Sequence, residues 1–288
     1  MIETLSAWTA AAAFVASSLY LLAALRQGGR LPFGVGWGLL VTGGAAALLY
    51  MMTATVRVGG FPILNPWMSA SFLSFLLTLF AAGVWLRYRE PAFLAGAAPT
   101  AALFAFLAAI RPVRVSDLEA FAAQLATLRP DVPDIGTVIL HSVWFPAHVT
   151  LALSAYALFT LAATMGLLQL TLVRALKRKR AHTMKFLPPL PVVETVGVKS
   201  VAIGMVALAA ALIIGAVGTQ TVLDSHWLGD PKEISGLIIL LLYGAIAVAR
   251  SVFGWTGKRV AMAHVTAFFL LVAVVVGSSV WAPKLHGF

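Results

Sequence analysis

The chain reads as an all-α protein, a polytopic membrane helix bundle of about eight transmembrane helices with its N- and C-termini outside. Three observations predict this. Apolar residues make up 61% of the sequence and charged residues only 10%, where soluble domains average roughly 45–50% and about 25%. The apolar residues gather in continuous runs, and a bilayer-spanning helix needs about 20 such residues. Lys and Arg collect between alternate runs instead of being spread evenly.

Runs of this kind cover about 5–25, 34–52, 68–87, 91–110, 144–173, 195–218, 234–250 and 260–281. They are unbroken rather than alternating, so helices are expected and not barrel strands, and a helix satisfies its own backbone in lipid. With the N-terminus outside, the inner segments hold Arg26, Arg30, Arg87, Arg89, the cluster Arg174–Lys185, Arg250, Lys258 and Arg259. The outer segments hold Arg57, Arg111, Arg114, Arg129, Lys232 and Lys284. The inner side carries about twice as many, as cytoplasmic loops do. Three units are expected: a four-helix half over 1–110, an outer segment over 111–143, and a second four-helix half over 144–288.

The net charge of +10 is juxtamembrane, so it points to anionic lipid head groups at the basic inner loop and not to nucleic acid. The start Met1-Ile2-Glu3 lacks the basic n-region of a cleavable signal. Cysteine is absent, which excludes a disulfide framework, a thiol nucleophile and a thiolate metal site.

Taken in order, the first four runs carry no ionisable group at their centres. Gly34, Gly36, Gly38, Gly43 and Gly44 in the second predict close helix packing. Trp37, Trp67 and Trp85 fall near interfaces, and Pro99 is a potential kink in the fourth run. In the outer segment, Ser116 and Glu119 have the spacing of a capping box. The apolar positions that follow predict a short amphipathic helix on the outer surface, as a connector or as a lid. His141 precedes the fifth run. His148 follows Pro146, which suits a first helical turn, so its imidazole is expected at the outer mouth of that run.

The inner basic loop ends in Phe186-Leu187-Pro188-Pro189-Leu190-Pro191, read as an extended element. The sixth run carries Ala207, Ala211 and Gly215 at four-residue intervals, a small-residue packing face, and Lys199 near enough to the inner end to snorkel. The polar, aromatic loop 219–233 contains His226 and Trp227. It closes on Asp230-Pro231-Lys232-Glu233, with Asp as N-cap, Pro at the first helical position and Glu at the third. That role accounts for Asp230 and Glu233 but not for His226 or Trp227. His264 falls inside the eighth run near its inner end, a position that fits either a functional site or a hydrogen-bonded neutral histidine. His286 lies beyond that run, on the outer side.

Histidines from three segments, His148, His226 and His286, are thus expected at one face. Two neutral imidazoles can ligate one haem iron. From about residue 139 onward the chain resembles the haem-handling cytochrome c assembly family, the CcsA type with its HemX- and YpjD-like relatives. The resemblance is carried by HSVWFPAHVTLALSAYALFTLA, FLPPLPVVETVGVKSVAIGM, HWLGDPKEISGLIILLLYGAIAVAR, FGWTGKRVAMAHVTAFF and the terminal KLHGF. It implies a protein of the bacterial inner membrane that holds b-type haem at an outer tryptophan-rich loop flanked by two histidines. The haem is then presented to the Cys-X-X-Cys-His of an apocytochrome c, with a partner membrane subunit completing the system. On this sequence the flanking histidines fall on His148 and His286, as iron ligands, and the end of the loop motif on Trp227 and Asp230. The chain departs from the pattern at Leu223 and Gly229, where further tryptophans are usual, and at Val248, where the next span often has a histidine. These departures keep open a HemX-like, non-catalytic accessory linked to haem biosynthesis. A permease is the weakest alternative, because no carboxylate sits at the centre of a run and no inverted repeat is visible.

Overall fold

A computed structural model describes residues 2–27, 31–63, 65–111, 114–128, 131–132, 134–177, 188–222 and 231–281. Helices account for nearly all of them: α1 (Ile2–Arg26), α2 (Phe33–Val58), α3 (Pro66–Tyr88), α4 (Pro91–Ile110), α5 (Val115–Leu128), α6 (Ile135–Leu140), α7 (Trp144–Lys177), α8 (Leu190–Val222), α9 (Pro231–Ser251) and α10 (Lys258–Trp281). Among the described residues there is no strand. All but α5 and α6 are long and apolar enough to cross a membrane, giving eight candidate spans. The chain is a multi-pass, all-α membrane protein.

Cross-helix contacts set the directions. The Glu3 carboxylate pairs with Arg57 at 2.8 Å, tying the start of α1 to the end of α2. Farther along, Trp37 of α2 stacks on Trp85 of α3, with ring centroids 4.5 Å apart and planes 27° from parallel. Successive spans therefore run antiparallel. The starts of α1, α3, α7 and α9 share a face with the ends of α2, α4, α8 and α10, hereafter the amino-terminal face.

The turns follow local chemistry. Gly59 closes α2 in the left-handed region at φ 73°, where a residue without a Cβ is unstrained. Asn65 caps α3, its side-chain oxygen accepting the Met68 N–H at 2.8 Å, with Pro66 at the first helical position. Helix α4 runs through Pro99 from Pro91 to Ile110 without interruption.

Two sequence expectations are corrected here. Helix α5 begins at Val115, so Ser116 lies inside the helix and is not its N-cap. The acid that closes this end is Asp117, whose Oδ2 accepts the Arg114 N–H at 2.8 Å. It also accepts a bond from Asn65 Nδ2 at 3.0 Å, and Arg111 pairs with the other oxygen at 3.3 Å. One carboxylate thus ties α5 to the cap of α3. The second correction is at α8, which begins at Leu190. Leu190 and Pro191 are therefore helical, since a proline in a first turn lacks only an N–H that would have had no partner there.

Helix α5 is amphipathic, as expected, and its apolar side is engaged. Phe121 and Leu125 are buried together with Val58, Ile135, Ile139, Leu140 and Phe145. α5 and α6 thus pack on the ends of α2 and α7 at the amino-terminal face.

The bundle is organised around α7. Leu153, Ala157, Leu161 and Met165 of α7 join the large core formed with α1–α4. Ala155, Phe159 and Ala162 face the other way, into a second core with α8, α9 and α10. In that second core Phe159 stacks on Tyr243 at 3.8 Å with planes 7° apart. The most extensive pairing is α7 with α8. Here glycines of α8 receive large side chains of α7: Gly204 lies against Phe159, Gly215 against His148 and Gly218 against Trp144. This is small-residue packing of the kind that drives helix association in lipid.

At the opposite face, Glu194 joins three elements. Its Oε1 pairs with Arg250 of α9 at 2.6 Å. Its Oε2 accepts from Gln169 Nε2 of α7 at 3.2 Å and from the Gly257 N–H of the α9–α10 turn at 3.0 Å.

Candidate functional site

His148 lies in the second turn of α7, five positions into the helix, half-buried. Its Nδ1 stands 2.8 Å from the Ala211 carbonyl oxygen of α8. A carbonyl can only accept, so Nδ1 carries a proton. This is the arrangement by which proteins orient a ligating imidazole.

The ring reaches that carbonyl because residue 215 has no side chain. A methyl group there would sit 2.6 Å from the His148 ring and 3.1 Å from Oε1 of Glu233. Imidazole and carboxylate therefore converge on the same groove. One turn nearer the face, Trp144 fills the equivalent space above Gly218. Its Nε1–H is buried with no hydrogen-bond partner among the described residues.

Glu233 is 3% exposed and Ser235 4% exposed, both in the first turns of α9. Burying a carboxylate at the head of a membrane helix is expensive, and such residues mark sites. The sequence reading assigned Glu233 a helix-starting role at the third position. The structure keeps that position and adds a neighbour, His148, from another helix. The signal that could have found it was an acid placed within an otherwise apolar membrane border, two residues past the Asp-Pro pair.

These side chains line a cavity of about 350 Å³ between the two halves of the bundle. Its polar lining includes Asn65, His148, Tyr156 and Glu233, and its apolar walls come from α3, α4, α7, α8 and α10. The volume falls within the range of small-molecule sites, and the mix of apolar walls with a few polar groups is typical of them. Phe268, Leu271, Val272 and Val275 give α10 a wall of this cavity, and α10 is the helix that leads toward residue 286.

Of the residues named from sequence, His148 lies near the head of α7, at the amino-terminal face. His226, Trp227, Asp230 and His286 lie outside the described residues. His141 is exposed, with Nδ1 2.9 Å from the Thr137 carbonyl oxygen. His264 is 4% exposed and sits near the opposite face, over Gly197 of α8, far along the bundle from His148.

Residues 61–286 match the model of the family described as "Cytochrome C assembly protein". The chain belongs to that family. Relatives are similar over most of their length. The cytochrome c biogenesis protein CcsA of Guillardia theta is 24% identical over 276 residues, covering 89% of this chain and 86% of its own. The protein of the same name from Prochlorococcus marinus (strain NATL1A) is 25% identical over 258 residues, covering 80% and 77%. No solved structure matches the chain. The family match begins at residue 61, so it takes in α3 and α4 as well as the C-terminal helices, and both sides of the cavity fall inside it.

Proposed function

We propose that this member of the cytochrome C assembly family works in cytochrome c biogenesis by holding haem at the amino-terminal face. His148 and His286 would hold the haem iron, and the 219–233 loop, with His226, Trp227 and Asp230, would complete the haem-binding surface. The haem is offered there to an apocytochrome c, with a partner membrane subunit completing the assembly. The membrane is the bacterial cytoplasmic membrane, with this face outward and the basic inner loop against anionic lipid. In this reading the helices from residue 144 onward are the haem-handling half, and α1–α4 wall off its cavity.

One observation carries the reading: the bond from His148 Nδ1 to the Ala211 carbonyl, 2.8 Å long. It sets the tautomer that a metal-ligating histidine needs, in the lining of a cavity with apolar walls. When bound, haem supplies the vinyl groups and iron of the chemistry, and the protein contributes binding, orientation and exclusion of water. The Ala211 carbonyl fixes the His148 ring and its tautomer, Gly215 makes the room, and Glu233 puts a carboxylate in the same groove.

Absorption spectroscopy of the purified protein tests the proposal. Wild type is expected to take up b-type haem with a bis-histidine spectrum, and His148→Ala and His286→Ala are each expected to lose it. A protein that stays colourless with haem in excess, or one indifferent to both substitutions, would refute it. Activity that survives both substitutions but fails on charge reversal in the 174–185 loop would instead favour the accessory role.

A further inference from the structure

A second cavity lies at the opposite end of the bundle, away from His148. It encloses about 600 Å³ between α8, α9 and α10. Its length is aliphatic, with Val198, Val201, Met205 and Ile246 among the walls, and its end is polar, with Arg250, Ser251, Thr256 and His264. We infer that this cavity is a binding site for an anionic phospholipid of the adjoining leaflet, the acyl chain lying between α8 and α9 and the phosphate meeting Arg250, Thr256 and His264.

Four features point to that ligand. The first is His264, which is 4% exposed and lines the cavity, so a polar ring set deep between the helices faces the space a ligand would fill. The second is the charge at that end. Arg250 gives one N–H to Glu194 at 2.6 Å, and a guanidinium has five donors in all. Glu194 is already held by Gln169 and the Gly257 N–H, so it anchors Arg250 while further N–H groups are left for an anion. Lys258 and Arg259, in the next turn of chain, add positive charge at the same end.

The third feature is the opening. Val206, a wall residue, is 71% exposed, and Ala202 and Ser251 are exposed as well. The cavity therefore opens sideways between α8 and α9 onto the surface that the bilayer covers, which is the direction from which a chain-bearing lipid arrives. The fourth is the wall chemistry. Among the described residues no Phe, Tyr or Trp lines this cavity, so it offers little flat surface for a macrocycle, whereas a flexible hydrocarbon chain packs well on Val, Ile, Ala and Met.

The test is photo-crosslinking in phosphatidylcholine nanodiscs carrying a trace of phosphatidylglycerol with a diazirine on its acyl chain, followed by peptide mapping. Labelling is expected on α8 and α9 at the cavity walls, and not with a phosphatidylcholine probe of the same chain. The double substitution Glu194→Gln, Arg250→Gln removes the guanidinium without leaving a carboxylate unpaired, and most of the labelling should be lost. Ala247→Phe fills the apolar trough from the other end and should abolish it. Wild-type-like elution and uptake of haem at the His148 site would show that both variants are folded. Equal labelling by both lipids, or labelling that neither variant changes, overturns the inference. So does a haem spectrum in His148→Ala that disappears on adding His264→Ala, because the cavity would then hold a porphyrin.

Discussion

Gly215 is where the chemistry of the amino-terminal face is decided. His148 and Glu233 both occupy the room its missing side chain leaves, and a methyl there would stand 2.6 Å from the ring. Gly215→Ala should push the imidazole off the Ala211 carbonyl and release both its orientation and its tautomer. Losing such an outer-shell hydrogen bond typically lowers metal affinity by roughly 10–100-fold. Haem titration should show that loss while the helical circular dichroism stays that of wild type. Glu233 makes a separate prediction. At the proposed haem site a carboxylate beside the ligating imidazole would favour the ferric state, so Glu233→Gln should raise the haem midpoint potential without changing the bis-histidine spectrum. A potential equal to that of wild type would leave Glu233 with only its place in the first turn of α9.

At the scale of elements, Asp117 ties the head of α5 to α3, which makes that attachment measurable. Asp117 receives Asn65 Nδ2 at 3.0 Å and the Arg114 N–H at 2.8 Å, while Asn65 also caps α3. Asn65→Ala should cost about 1 kcal/mol for the cap and detach the head of α5 from α3. Faster amide exchange in residues 115–128, with α7 unchanged, is the expected result. Protection equal to wild type would mean that Phe121 and Leu125 hold α5 without help. This helix also shows what sequence can and cannot give. Its amphipathic spacing was legible because Phe121 and Leu125 repeat at helical intervals, but its start was not. The capping acid is chosen by Asn65, which lies 52 residues away. The eight spans were legible because lipid demands a continuous apolar helix. Leu190 and Pro191 were misread because proline is unfavourable inside a helix and harmless in its first turn. The placement of His148 followed from Pro146 and the head of an apolar run. The company of Glu233 did not, because its neighbour comes from α7 and the space between them from α8.

For the whole molecule, α7 makes two half-bundles into one frame, because alternate faces of a single helix serve two cores. That frame fixes which groups share a face whatever the orientation in the membrane. The orientation decides what the face can do. If the amino-terminal face is outside, as the distribution of Lys and Arg predicts, His148 and the 219–233 loop meet partners beyond the membrane, and the Glu194–Arg250 pair meets the cytoplasmic leaflet. The chain has no cysteine, so a single introduced thiol reports its own side without background. Thr137 on α6 and Lys258 at the start of α10 are both exposed and at opposite ends of the bundle. In intact cells a membrane-impermeant maleimide should label Thr137→Cys and leave Lys258→Cys unlabelled until the membrane is opened. The reverse pattern would turn His148 toward the cytoplasm and end the case for handing haem to an apocytochrome outside. The bundle, its cavity and the Gly215 groove would stand unchanged, serving some other ligand from the inner side.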